Sequence, residues 1–264
     1  AFFYVASPLD YVTGAPEEAG LQTLCMKSSV SLVTSVEEKT FVLAEEFALP
    51  ASMPALSELL RHRVHASVED VRQVGAKLIV QGTAALEILY AAADDNKPVR
   101  AEFSASFSQI MDTLESQSGM KSVLVTPTAC YVEPMPGSYG SNSVSLELHM
   151  VLQAVCRSEK ELQYMTDAYS IRSACSVRRE SVPVTLSGRS IAVRETIREL
   201  LETQESVGEP LSCYAVPCRP IRSGAAVRMP LYVHALYMTD RGQLASLTKK
   251  LTPETRLDVS DGAE

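Results

Sequence analysis

Period-two alternation of apolar and polar residues, sustained over runs longer than an average strand, restricts the fold of this chain more than any other feature. From Leu78 to Tyr90 one side carries Leu78, Val80, Gly82, Ala84, Leu86, Ile88 and Tyr90, while Gln81, Thr83 and Glu87 fall on the other. Only extended backbone sends every second side chain to one face. A second run sets Val99, Ala101, Phe103, Ala105 and Phe107 against Arg100, Glu102, Ser104, Ser106 and Ser108. Between them, Asp94-Asp95-Asn96-Lys97-Pro98 supplies turn residues and a Pro that stops either strand running on, which predicts a hairpin. A third run groups Val123, Val125, Ala129 and Tyr131 on one face, and a fourth groups Val144, Leu146, Leu148, Met150, Leu152, Ala154 and Cys156. One wet and one dry face per strand is the pattern of antiparallel sheets packed on each other, not of a parallel sheet covered by helices.

Two short segments have helical spacing instead. Val193, Ile197, Leu200 and Leu201 fall at i, i+4, i+7 and i+8 with Arg194, Glu195, Arg198 and Glu199 between them. Pro54-Ala55-Leu56-Ser57-Glu58-Leu59-Leu60 follows Ser52 as a cap and carries Pro54 in the first turn. Each predicts a short amphipathic helix.

These helices belong to an internal duplication. Ser57-Glu58-Leu59-Leu60 leads to a strand ending Leu89-Tyr90, an acidic turn and a strand ending Met111-Asp112. Arg198-Glu199-Leu200-Leu201 leads to a strand ending Leu236-Tyr237, the turn Thr239-Asp240-Arg241-Gly242 and a strand ending Leu257-Asp258. The offset is 141 residues at the helix and 147 then 146 later, so about six residues are inserted near Cys213 to Ser223. Upstream, Thr40-Phe41-Val42-Leu43 aligns with Ser181-Val182-Pro183-Val184. The expected fold is mainly β: two related antiparallel β-sandwich-like units, each with one short amphipathic helix. An N-terminal arm and linker span residues 1–23, the first unit 24–170 and a shortened second unit 171–264. The chain opens on Ala1 rather than Met, as a processed protein or a piece of a longer one would, and its start lacks the charged and apolar regions of a signal peptide.

Composition removes several functions. With 46% hydrophobic and 21% charged residues, the 264-residue chain has the apolar content of a folded protein. A formal charge of -8 without a basic stripe argues against nucleic acid as a partner. No apolar run reaches the roughly 18 residues of a membrane-spanning helix. The six cysteines are scattered through strand-like segments and read as buried thiols of a reducing compartment. His62 and His65 lie beside Arg61 and Arg63 and read as a solvated turn, and His149 and His234 as residues on polar sheet faces. Cys213-x4-Cys218 lacks two further zinc ligands, and no phosphate loop or serine-nucleophile motif occurs. Paired acids such as Glu45-Glu46 and Asp94-Asp95 read as solvated charge. No catalytic residue, cofactor or metal is expected. The absence of Trp and 6% aromatics weigh against the alternative of a glycan-binding or wall-modifying protein.

Two candidate contact sites remain. Phe2-Phe3-Tyr4-Val5 is an apolar, strand-prone arm ahead of a linker from Gly14 to Gly20, suited to adding an edge strand to the incomplete sheet of the second unit, in the same chain or a neighbouring one. The loop from Pro134 to Asn142, with Met135 and Tyr139, is either a contact surface or a long hairpin connection.

The stretch from about Leu49 to Ser170 resembles the SPOCS domain of endospore-forming Clostridia and relatives. The matching residues are Pro50, Pro54, Leu59 and Leu60, then Val80-Gln81-Gly82, Ile88-Leu89-Tyr90, Phe107-Ser108-Gln109-Ile110, Gly119-Met120 and Asp167-Ala168-Tyr169-Ser170. Ser106 stands where the family places Pro, the acidity is milder, and no LysM-like segment lies within these residues. The resemblance implies a non-enzymatic structural or morphogenetic protein of the spore envelope, made in the mother-cell cytoplasm and then carried on the spore coat or surface. It further implies that the partners are other envelope proteins or copies of the chain itself.

Overall fold

The computed structural model describes residues 10–15, 20–113, 120–136, 141–172, 174, 176–178 and 196–256. The protein is mainly β and antiparallel. One three-stranded sheet has the order β1-β6-β5, from β1 (Leu21–Ala48), β5 (Met120–Pro134) and β6 (Ser143–Ser170). A second has the order β2-β3-β4, from β2 (Leu56–Val74), β3 (Lys77–Ala92) and β4 (Pro98–Asp112). A third, β7-β10-β11, is built from β7 (Val207–Pro217), β10 (Leu231–Thr239) and β11 (Leu244–Leu251). A small sheet joins β8 (Ile221–Ser223), β9 (Ala226–Arg228) and β12 (Glu254–Arg256).

The first two sheets face each other across one core. Their dry faces are the alternating sets read from the sequence: Leu78, Val80, Leu86, Ile88 and Tyr90 from β3 against Val144, Leu146, Leu148, Met150 and Leu152 from β6, all almost completely buried. Phe41 of β1 meets Phe107 of β4 with ring centroids 5.3 Å apart, and Phe47 stacks on Phe103 at 4.9 Å. The hairpin predicted at Asp94 to Pro98 joins β3 to β4: Ala92 N–H donates to Lys97 O, and Asn96 takes the left-handed conformation that Asn tolerates.

Gly82 is dictated by packing. A Cβ there would sit 2.3 Å from the Ser67 carbonyl oxygen and 2.4 Å from the Phe107 ring. Its cross-strand partner is Phe107, whose ring fills the space a side chain would need.

No helix occurs among the described residues. Leu56 to Leu60 belong to β2, and Thr196 to Leu201 have no regular structure. The helical spacing at the first site comes from β-bulges. Register shifts between Leu56 and Glu58 and between Leu59 and Arg61 each insert a residue, so inward positions fall three apart instead of two. His62 and His65 therefore lie on β2, opposite Ile88 and Ala85, rather than in a turn. A third bulge corrects the face expected for Tyr131. In β5 the register slips between Pro127 and Ala129, so Val125 and Val132 both point inward while Tyr131 is 57% exposed. Pro127 sits at this bulge on an edge strand, where a missing N–H is tolerated.

The second half departs from expectation at one further strand. The strand after the Thr239 to Gly242 turn ends at Leu251, Pro253 follows, and β12 then joins a different sheet by pairing with β9. Of the six cysteines, the five described are free thiols, with Cys156 buried and Cys213 exposed, so the expectation of uniformly buried thiols fails at Cys213. Cys175 lies outside the described residues.

Candidate functional site

Three surfaces have the chemistry to make contacts. The first is a ribbon. β1 and β6 pair along their whole 28-residue lengths, from Leu21 opposite Ser170 to Ala48 opposite Ser143. β5 covers β6 only from Val144 to Arg157. Beyond Arg157 the sheet narrows to two strands, and the change is marked by a bulge at Thr34, whose hydroxyl donates to Cys156 O at 3.2 Å. Leu24 and Met26 are more than half exposed on this ribbon, and Tyr169 is held beside them by a 2.8 Å hydrogen bond from its hydroxyl to Gln22 Oε1. The ion pair of Lys27 with Glu161 at 2.6 Å also bridges the two strands, and it raises the ammonium pKa above its ordinary value.

The second surface is a polar seam where the β7-β10-β11 sheet lies on the outer face of β2-β3-β4. Glu87 of β3 receives Arg100 Nη2 at 2.9 Å on one oxygen, and the Ser212 hydroxyl of β7 donates to the other at 2.7 Å. Arg61 Nη2 reaches Ser212 Oγ at 3.4 Å. The Tyr214 ring lies under the Arg63 guanidinium at 3.5 Å and stacks on His234 at 4.9 Å, and His234 Nδ1 is 2.9 Å from Thr248 Oγ1. Ser212 is 4% exposed, so its hydroxyl is fully committed to this contact.

A third surface is the acidic outer face of β1-β6-β5. Glu46, Glu133 and Glu147 surround Tyr131 and His149 in a shallow groove, with His149 Nε2 2.7 Å from Glu147 Oε1 and its ring edge-on to Tyr131. Among the described residues no group of three His, Cys, Asp or Glu converges on a metal-sized site. No helix among them is long and apolar enough to cross a membrane.

The arm residues Phe2, Phe3, Tyr4 and Val5 lie outside the described residues, as does Tyr139. The arm's described continuation is placed: Val12 O accepts the Met165 N–H at 2.8 Å, and Thr13 O accepts the Cys25 thiol at 3.6 Å. Val12 and Thr13 are therefore tied to the ribbon. Met135 is half-buried and donates its N–H to Ser143 O, which continues the β5–β6 ladder past Pro134. The far side of that connection does more than join strands. Ser141 exchanges two 2.8 Å backbone bonds with Leu56, and Leu49 N–H donates to Asn142 O, tying the loop to the entry of β2. Sequence reasoning passed over Ser141, Ser212 and Glu87, because each takes its meaning from a partner far away in the chain.

Residues singled out in the sequence meet in two pairs: Gly82 lies under Phe107, and the Tyr90 hydroxyl donates to Pro54 O at 2.9 Å. No protein-family profile, no curated protein and no solved structure matches the chain.

Proposed function

We propose that the chain is a non-enzymatic structural protein that works through protein–protein contacts, built as two related β units with the second shortened, and that its setting is the bacterial endospore envelope. The observation that carries the contact role is the two-stranded ribbon beyond Arg157, which among the described residues has no third strand and an exposed face bearing Leu24, Met26 and Tyr169. Unpaired edges with exposed apolar side chains are templates for another chain. Support for two related units comes from the shared order of β2-β3-β4 and β7-β10-β11, with Tyr90 and Tyr237 both buried near the ends of the central strands. The spore setting rests on the SPOCS resemblance.

The arm is the donor in this reading. In this reading the acceptor is the ribbon rather than the incomplete sheet of the second unit, since Val12 bonds to Met165 of β6 and the seven residues from Val12 back to Val5 span at most about 25 Å. Phe2 to Val5 then add to a ribbon edge of a neighbouring copy or of another envelope protein. Deleting residues 1–12 and measuring mass by light scattering tests this, with a fall in assembly size expected and an unchanged size overturning the donor role. A fluorescent fusion in a sporulating cell tests the setting: signal at the developing spore surface is expected, and a diffuse signal through sporulation overturns it.

A further inference from the structure

Among the described residues, each sheet ends in two edge strands, and all but one of these edges carry a device that discourages further pairing. β5 has Pro127, Pro134 and a bulge, and β2 has three bulges. β4 is met by β1, whose Lys39 ammonium donates to Ile110 O at 2.8 Å. β7 carries Pro210 and Pro217, β11 carries Lys249 and Lys250, and β8 and β12 are only 3 residues long. The exception is β1 where it forms the ribbon. From Leu21 to Val33 it has no Pro, no Gly and a single charged residue, Lys27, whose ammonium turns back across the ribbon to Glu161 at 2.6 Å. The β6 side of the ribbon is guarded: it carries Arg157, Glu159, Lys160 and Glu161, and its Met165 N–H is taken by Val12 O.

Register fixes which backbone groups face outward. Val12 bonds to Met165 on the side away from β1, so Met165 and its partner Cys25 form a non-hydrogen-bonded pair, whose backbone groups point out of the ribbon. Stepping by two along β1, Lys27, Ser29, Ser31 and Val33 follow, up to the bulge at Thr34. Among the described residues no strand pairs with this edge.

We propose that a second copy of the chain pairs along it, β1 antiparallel to β1, about a two-fold axis at Ser29; this rests on the reading of the ribbon as the contact surface and names its edge and its partner. Ser29 is the midpoint of the outward run, so this register uses every outward group: Cys25 meets Val33 of the second copy, Lys27 meets Ser31, and Ser29 meets itself. The pairs exchange about ten backbone hydrogen bonds, the number of a standard interface between proteins. Charge suits the same register. Lys27 faces a serine, and the two Lys27 positions lie roughly 14 Å apart along the strands, beyond the range of screened repulsion. An axis at Lys27 would instead set two ammonium groups directly opposite, which is destabilising. On the other face of the strand, Met26, 53% exposed, comes opposite Leu32 of the second copy, and Ser28 opposite Val30. The projection of the ribbon leaves room for this. β5 reaches β6 only as far as Arg157, and antiparallel pairing sends the two cores to opposite ends of a joint sheet of order β5-β6-β1-β1-β6-β5.

The test uses the full chain. In light scattering, Ser29→Lys and Ser29→Glu are each expected to lower the assembly mass at least twofold, because like charges meet on the axis, and mixing the two variants is expected to restore it. A monomeric parent, an unchanged mass in both variants, or a lowered mass that mixing does not restore overturns the proposal. Val33→Cys gives a readout without an added charge. Directly opposite residues of an antiparallel pair are about 5.5 Å apart at Cα, within disulfide reach, so mild oxidation should join Val33→Cys to the free Cys25 of a second copy. A covalent dimer that disappears in Val33→Cys/Cys25→Ser is expected, and its absence, or its survival without Cys25, overturns the proposal. The arm is separated by deleting residues 1–12. If that deletion lowers the mass while Ser29→Lys does not, the arm stays the donor and the β1 pairing falls, and the reverse result keeps the pairing and removes the arm.

Discussion

The β2-β3-β4 and β7-β10-β11 sheets share strand order and antiparallel pairing, yet they are held by opposite kinds of surface. The first is fixed by its dry face, against a partner sheet with a continuous apolar core. The second is docked by its wet face, through Glu87, Ser212, Arg61 and the Arg63–Tyr214–His234 stack. Their connections differ as well. β2 passes to β3 through Gly75 and Ala76 alone, with Gly75 at φ 59°, which glycine adopts without steric cost, whereas β7 reaches β10 after the β8–β9 hairpin. Apolar burial is insensitive to the partner's exact geometry and is cooperative, whereas a polar seam depends on a few directional bonds that water can replace. The same sheet design is thus held by an apolar core in one place and by a polar seam in the other.

Truncation should separate the two most strongly. Leu148→Ala, in the fully buried core, is expected to lower stability by about 2–5 kcal/mol in denaturant unfolding. Leu247→Ala, at a half-buried position of β11, should cost less than half as much, and equal costs would erase the distinction. Next in size, Gly82→Ala is expected to cost about 1–3 kcal/mol or more, since the Ser67 carbonyl is backbone and cannot rotate away. A neutral result would mean that β2 and β3 separate freely at the register shift between Val68 and Asp70, opposite Gly82.

At the seam, Ser212→Ala leaves one Glu87 oxygen without its 2.7 Å donor, at a cost of about 1 kcal/mol. It should appear as faster amide exchange in β7 and β10, accentuated by salt, with β3 unaffected. Thiol labelling gives a finer contrast. Cys213 is exposed and should react with a maleimide well before buried Cys156, and Cys130, whose thiol pKa is pushed up by burial, should gain rate later as pH rises than a free thiol does. The smallest effect concerns a turn. Bonds from Lys97 hold the Asp95 carboxyl below the usual carboxylate range. A lowered acid stabilises above its unfolded pKa, near 3.9, and loses that contribution as pH falls through the folded value. Amide exchange at Asn96 should therefore rise only below about pH 4, while the Gly242 turn between β10 and β11, closed by backbone bonds, stays unchanged.

The parts legible in the sequence were those governed by unbroken alternation, above all the β3–β4 hairpin and the inward set of β6 from Val144 to Cys156. The misreadings cluster at bulges. A single inserted residue converts period two into the three-residue step of Leu56 and Leu59, and it reverses the face of Tyr131 after Pro127. Pro127 within an alternating run was the one available signal of that reversal. The seam had none. Ser212 and Glu87 lie 125 residues apart, and neither is unusual in its own segment.

The ribbon also sets how the protein responds to tension. Leu21 and Ser170 are paired side by side at its tip, so a pull applied between these two residues loads that single pair first. Hydrogen bonds perpendicular to the strands then open one after another in a peeling geometry, each pair lengthening the path by about 7 Å. Peeling halts where the third strand begins, at Arg157, and leaves the core unloaded until then. β1 and β6 would thus act as an extensible link whose rest length is restored when the load is removed.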